Sequence, residues 1–326
     1  MRISILVPRG AVALSTIEGS VIFFAHLNAA LTARGRPAVF QTQLVGMTPE
    51  AQVYDRLFTV KPEATIDQVG ATDLIVIPAV NGDKERVLTD NAPFLDWIVG
   101  RHRSGSEVMS LCVGAFLLAA TGLMQGRKIA THWGSAGEFR RMFREVELVP
   151  DAIITDEAGI YSSGGALSFW NLLLYFAEKH TDREVALAVA KTLEIDLDRS
   201  RQSDFLIFSG QKDHGDAAVR LAQEHIEAHY GAHITVEDLC SRFAVGRRSL
   251  ERRFKQATGN TVSEYLQRVR VEAAKKAFET SRKTVTEVMY HVGYSDSKAF
   301  RSVFQRVAGR SPNEYRARFH RLEAVG

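Results

Sequence analysis

Apolar residues recur along this chain in two rhythms. In the first two thirds, short and nearly continuous apolar runs at 3–7, 39–45, 74–78 and 107–112 read as strands buried on both faces. Helical periods follow at about 17–33, 85–102, 115–123, 166–179 and 182–194. Shorter strands are expected at 128–131, 152–155 and 159–162, and a hairpin within 53–69. Strands alternating with helices predict an α/β domain with a mostly parallel sheet. Beyond residue 215 the period is helical throughout, which predicts an all-α domain.

The helical part is written twice. Leu250-Glu-Arg-Arg-Phe254, Gly259 and Glu264-Tyr265 return fifty residues later as Phe300-Arg-Ser-Val-Phe304, Gly309 and Glu314-Tyr315. Thr235 with Asp238, and Thr284 with Glu287, have the spacing of capping boxes, in which hydroxyl and carboxylate each satisfy a backbone N–H at a helix start. Each copy thus reads as a short helix, a tight turn and a longer helix, with turns at 244–246 and 293–295 where a glycine can take a positive φ. On the longer helix Leu250, Phe254 and Ala257 share one face, and polar residues share the other. The outer face carries Arg247, Arg248, Glu251, Arg252 and Lys255 in the first copy. Its counterpart carries Ser297, Lys298, Arg301, Ser302 and Gln305. A helix-turn-helix reads the major groove with such a face, and two of them would meet successive grooves roughly 34 Å apart. The plain alternative is a helical bundle whose arginines only solvate it. Glu251 has two readings: it accepts from a cytosine amine, or it pairs with Arg247 or Arg248 and orients them.

The paired units, the joining helix and the closing Gly309-Arg-Ser-Pro-Asn-Glu-Tyr-Arg316 resemble the AraC/XylS family of transcription regulators. The resemblance covers about the last hundred residues. It implies double-stranded DNA as partner, dimerisation, and contact with RNA polymerase during activation.

Length and charge fit this division. A chain of 326 residues exceeds one ordinary core, so domains are expected at 1–195 and 216–326 with a linker at 196–215. From His214 onward basic residues exceed acidic ones by seven, while before it acidic residues lead by four, leaving a net +3. That asymmetry is the footprint of a DNA reader joined to another function. Arg268, Arg270, Lys275, Lys276, Arg282 and Lys283 are the expected phosphate contacts. Only Cys112 and Cys240 are present, which suits a reducing compartment, and Cys240 reads as core. No signal sequence is evident, and no apolar run approaches the ~20 residues that span a bilayer; a cytoplasmic protein is expected.

At Cys112 a strand turns at once into a helix. Such an elbow exposes its side chain, and the helix start behind it is expected to lower a thiol's pKa. Three readings stay open: a ligand-pocket residue in a non-catalytic sensor, a structural elbow, or a nucleophile. The segment Ser110-Leu-Cys112-Val-Gly-Ala-Phe, with Ala130-Thr-His132-Trp133, resembles the class I glutamine amidotransferase-like, PfpI-type superfamily, and more narrowly the first domain of GlxA-type AraC regulators. This resemblance spans about residues 1–195 and implies a flavodoxin-like α/β sandwich. Enzymes of the superfamily use the elbow cysteine with a histidine and an acid; here Cys112 and His132 match, and Glu18 falls where some relatives hold a carboxylate. Val113 replaces a histidine found after the cysteine in peptidase-like members, and 77–80 lacks the usual glycine-rich oxyanion turn. The expectation is therefore a sensor without catalysis, cofactor or metal, the alternative being a cysteine-dependent amidase with a DNA-binding appendage. Open α/β sheets bind ligands at the C-terminal ends of their strands, so Glu18, Asn81, Cys112, Val113, His132 and Trp133 are the pocket candidates. The resemblance implies a small nitrogenous or amino-acid-like metabolite as effector, and an acidic pocket around Glu18 would suit a cationic one. The glycines at 164 and 165 either line an anion site or permit close packing. His225, His229 and His233 have helical spacing, but nothing completes a metal set, and a solvated face is expected.

Overall fold

The structure, a computed structural model, describes residues 1–54, 57–198, 201–208, 210–212 and 214–319. Parts of the expected hairpin (55, 56), of the expected linker (199, 200, 209, 213) and the end of the helical domain (320–326) lie outside the described residues. The chain forms two compact units that divide between Gln202 and Ser203.

The first unit is built on a seven-stranded sheet. Its strands are β1 (Arg2–Leu6), β2 (Gln41–Gly46), β3 (Ala64–Thr65), β4 (Leu74–Ile77), β5 (Glu107–Ser110), β6 (Ile154–Asp156) and β7 (Ile160–Ser163). Their order across the sheet is β6-β7-β5-β4-β1-β2-β3, and only the β6–β7 pair is antiparallel. Every residue of β4 and β7 is buried, as a sheet covered on both faces requires.

Its helices are α1 (Leu14–Thr32), α2 (Lys84–Asp90), α3 (Ala92–Arg103), α4 (Ala115–Ala120), α5 (Ala136–Met142), α6 (Ser168–His180) and α7 (Arg183–Thr192). One group, α1 with α6 and α7, packs together; α2, α3 and α4 form another. The single helix expected over 85–102 is two, because Asn91 leaves helical geometry and Pro93 opens the second. α5 was not expected from the sequence. The hairpin lies earlier than expected, at Ala51–Val53 and Phe58–Val60. The strand near 128 pairs with Glu147–Leu148 outside the main sheet.

By length and composition α1 could cross a membrane, contrary to the expectation that no such segment exists. Its apolar residues instead supply core: Phe23, Phe24 and Leu27 are completely buried. Gly19 lets α1 approach α6 closely, since a Cβ there would come within 2.9 Å of the Phe169 ring. Phe169 and its neighbour Trp170, with ring centroids 4.6 Å apart, are packing residues.

The second unit is helical, with α8 (Ala217–His229), α9 (Val236–Phe243), α10 (Arg247–Thr258), α11 (Val262–Thr280), α12 (Val285–His291), α13 (Ser297–Ala308) and α14 (Pro312–Arg318). It holds two apolar clusters. One gathers Leu239, Leu250, Phe254 and Tyr265, the other Val288, Phe300, Phe304 and Tyr315. α11 serves both, giving Val262 and Val269 to the first and Val271 and Phe278 to the second. Cys240 lies half-buried at the edge of the first.

The duplication extends to hydrogen bonds. Tyr265 donates its hydroxyl to Glu227 at 2.6 Å, and Tyr315 donates to Glu279. α11 therefore supports the second copy as α8 supports the first. Both expected capping boxes form, and two more, Thr261 with Glu264 and Ser311 with Glu314, recur at the fifty-residue offset. Each cap is worth about 1 kcal/mol.

Candidate functional site

The two turns differ from expectation in one respect. In the second copy Gly293 takes the positive φ of 84°, and a Cβ there would meet Gly231 O at 2.7 Å and the Arg270 guanidinium at 2.9 Å. In the first copy the left-handed residue is Ala244 (φ 51°), while Gly246 has an ordinary φ of −64°. Ala244 lies forty-nine residues before Gly293, so the turn geometry repeats even though the residue does not.

These turns set α10 and α13 as the second helices of two helix-turn-helix units. Leu250, Phe254, Phe300 and Phe304 are at most 1% exposed and fix which side faces inward. All ten residues expected on the reading faces are exposed: Arg247, Arg248, Glu251, Arg252 and Lys255 on α10, and Ser297, Lys298, Arg301, Ser302 and Gln305 on α13. Arg247 bonds Glu251 at 3.2 Å and also Glu237, so of the two readings of Glu251 the structure displays the orienting one. Lys255 lies 3.5 Å from Glu264. Arg253, outside the reading face, makes a two-pronged bond to Asp216 at 2.6 and 2.8 Å and ties α10 to the start of α8.

Half of the expected phosphate contacts are otherwise engaged. Lys275 is only 4% exposed; it donates to Leu206 O and lies 3.3 Å from Glu272. Arg270 donates to Tyr230 O and Ala232 O at 2.8 and 2.9 Å, satisfying carbonyls at the end of α8. Arg268 is half-buried over the Phe208 ring at 6.0 Å. Lys276, Arg282 and Lys283 remain exposed. For Lys275 and Arg268 the cause is the segment 206–208, part of the linker stretch 205–208 expected to dock on one domain, which lies against α11; Arg270 is held instead by the end of α8.

In the first unit Cys112 follows β5 with a φ of 54°, a left-handed value that only surrounding structure can hold in a non-glycine residue. Its amide donates to Ser163 Oγ at 3.1 Å and its carbonyl accepts from Thr131 at 3.1 Å. Gly114 permits the tight elbow, since a Cβ there would meet two strand-end carbonyls at 2.6 Å.

A cavity of about 210 Å³ opens beside the thiol. Of the six expected pocket residues, Asn81, Cys112, Val113 and His132 line it. Glu18 does not: it is exposed on the other side of α1, against an apolar surface with Leu14, Val21 and Val60. Two residues along a helix are about 200° apart, so Thr16, not Glu18, faces the cavity. Trp133 also lies outside the lining and stacks on His132 at 5.3 Å. Of the polar lining residues, Ser15, Thr16 and Ser135 were missed, the first two because α1 begins earlier than its apolar period suggested.

The electrostatics oppose the expected activated thiol. Burial pushes Cys112 up to about 11, outweighing the Val113 amide and the nearby Lys84, which act in the other direction. Burial also lowers His132. His132 Nδ1 accepts from Gly134 N–H at 3.0 Å, so the neutral ring carries its proton on Nε2. Among the described residues, no hydrogen bond joins His132 to the thiol. The Ala79 amide, in the stretch that replaces the expected oxyanion turn, donates to Thr16 Oγ1 at 3.3 Å, and Thr16 in turn donates to Ala13 O.

The region 162–165 is occupied by a residue that sequence reasoning placed in the linker. Gln202 is 2% exposed, and its amide nitrogen donates to Thr131 O, Pro150 O and Ala152 O at 2.9–3.1 Å. Its amide oxygen accepts from Trp133 N–H at 3.1 Å. Gly164 N–H is spent on Ile153 O. Of the two readings of the glycine pair, close packing is the one that the geometry supports.

Comparison with known proteins agrees with this division. Residues 239–318 match a model described as a helix-turn-helix domain, and residues 23–177 match the DJ-1/PfpI family. The transcriptional regulator ArgR of Pseudomonas aeruginosa is 27% identical over 217 residues, which are 66% of this chain and 65% of that protein, somewhat under two thirds of its length. The transcriptional activator RhaR of Yersinia pseudotuberculosis is 34% identical over 101 residues, 31% of this chain and 35% of its own. A solved structure described as a transcriptional regulator of Vibrio parahaemolyticus covers 59% of this chain and 98% of its own with a TM-score of 0.53 at 22% identity, a likeness of fold.

Proposed function

We propose that this chain, which joins a DJ-1/PfpI domain to an AraC-type helix-turn-helix domain, is a sequence-specific transcription regulator whose first unit senses a small metabolite. One observation carries the reading: two helix-turn-helix units, each with a buried apolar face and an exposed polar one, repeat at fixed spacing. Arg248, Arg252, Lys298 and Arg301 are exposed cations on those faces, suited to base edges and phosphates. Lys276, Arg282 and Lys283 are the phosphate contacts of this reading.

The first unit acts without turnover. A thiol held protonated at neutral pH, an imidazole not bonded to it, and an Ala79 amide already donating to Thr16 all support that reading. The regulator works in the cytoplasm as a homodimer. Self-association through the first unit is supported by the apolar surface of Leu14, Val21, Leu44 and Val60. Activation would proceed through contact with RNA polymerase.

The strained elbow at Cys112 is the one feature favouring an amidase instead. Two measurements separate the readings. Selecting bound duplexes from a random pool enriches a sequence with two constrained blocks if the chain is a regulator; an unenriched pool contradicts it. Amide hydrolysis that vanishes in Cys112→Ser contradicts the non-catalytic sensor.

A further inference from the structure

The Cys112 cavity has a property that bears on what it holds. Among the described residues its lining contains no Asp, Glu, Lys or Arg. Its two titratable members are both neutral near pH 7, because burial raises the thiol and lowers the imidazole. The carboxylate that would have suited a cation, Glu18, lies on another surface. Lys84, a buried cation that acts on the thiol from a distance, is not part of the lining: it is 5% exposed, donates to Val80 O at 3.1 Å and lies 5.2 Å from the centre of the Phe116 ring.

A charged ligand would lose hydration here with no charged side chain in the lining to pair with, which costs several kcal/mol; Lys84 acts on the site only from outside the lining. A neutral ligand loses less and can recover it in hydrogen bonds. The cavity offers them. With Nδ1 bound to Gly134, the lining residue His132 carries its ring proton at Nε2, while Ser15, Ser135 and Asn81 add two hydroxyls and a carboxamide. Ala13, Ala79, Val113 and Ala166 supply the apolar remainder. At about 210 Å³ the space is smaller than the ~300–1,000 Å³ of pockets for drug-sized molecules.

We infer that the Cys112 cavity binds a small uncharged molecule bearing a hydrogen-bond acceptor, of the carboxamide or urea class. The inference rests on the reading of the first unit as a sensor and names the chemistry that it senses.

Shape-matched probes test it: propionamide is neutral, propionate anionic and propionamidine cationic, with nearly the same outline. Alkylation of Cys112 by iodoacetamide in the full chain, followed by mass spectrometry at pH 8, reports occupancy. Cys240 in the same sample is the internal control. Propionamide at several times its dissociation constant is expected to slow Cys112 alkylation about fivefold, as mass action requires, with Cys240 unchanged. Both charged probes should change it less than about twofold. Better protection by either charged probe overturns the assignment of ligand class and leaves the sensor reading intact. Protection by none of the three overturns the assignment and counts against sensing at this cavity, while DNA reading is judged separately by duplex selection. Val113→Trp, which fills the cavity, should abolish the propionamide effect; its persistence would place the probe elsewhere and overturn the proposal.

Discussion

Gln202 fills the space that a side chain at position 164 would need: a Cβ there would lie 2.4 Å from the Gln202 amide carbon and 2.9 Å from Ala152 O. Gly164→Ala must displace either the amide or the backbone. A loss of about 1–3 kcal/mol in urea unfolding is expected. Gln202→Ala removes the clash but leaves backbone groups at Thr131, Pro150, Ala152 and Trp133 without this partner, a cost of about 1–3 kcal/mol. Because both changes act on one contact, the double variant should lose less than the sum of the two. Strict additivity would contradict the packing described.

The two turns predict opposite responses to opposite substitutions. Ala244→Gly relieves a left-handed alanine and should stabilise by about 0.5–1 kcal/mol, after the added freedom of the unfolded chain is subtracted. Gly293→Ala introduces both strain and a contact with Gly231 O and Arg270, and should destabilise by more than about 1 kcal/mol. Thermal unfolding of each variant is sufficient. Equal shifts of the same sign would contradict the assignment of turn residues.

On the reading faces the expected effects separate by chemistry. Arg252→Ala should cost about 1–3 kcal/mol and relax preference at one base position, whereas Lys276→Ala should weaken all duplexes alike. Lys275→Ala should instead lower stability, since its ammonium is buried against Leu206 O and Glu272. Binding isotherms on matched and shuffled duplexes distinguish the three. Uniform losses from Arg252→Ala would remove α10 as the reading helix.

The thiol predicts a pH dependence. Its folded pKa of about 11 lies above the ordinary value of 9.0, so the stabilisation it contributes is complete below pH 9 and is lost as pH rises through 11. Tyr161 and Tyr265 also titrate upward in the folded state, so the informative quantity is wild type minus Cys112→Ser. That difference should shrink by roughly 2–3 kcal/mol between pH 8.5 and 11. A pH-independent difference would mean that the thiol ionises normally.

Much of the fold was legible because its signals are local. The capping boxes, the alternation of Leu250 and Phe254 with charged neighbours, and the buried run of β4 each depend on residues within one or two turns. What escaped depends on distant partners. Glu18 and Thr16 are both polar, and only the docking of α1 decides which faces Cys112. Gln202 acts on residues about fifty and seventy positions away, inside a stretch with no periodicity of its own. The apolar stretch 205–208 signals docking on a domain, but nothing local to Lys275 signals that it meets Leu206 O there. The elbow was visible, but the sign of its thiol shift was not: burial by the surrounding core outweighs the local helix start.

The most direct test is a hydroxyl-radical footprint of the full chain on a selected duplex. The account predicts two protected segments on one face, centred about one helical turn, roughly 34 Å, apart. Arg252→Ala should weaken one segment and Arg301→Ala the other. A single protected segment, or protection unaffected by either substitution, would contradict reading by two helix-turn-helix units.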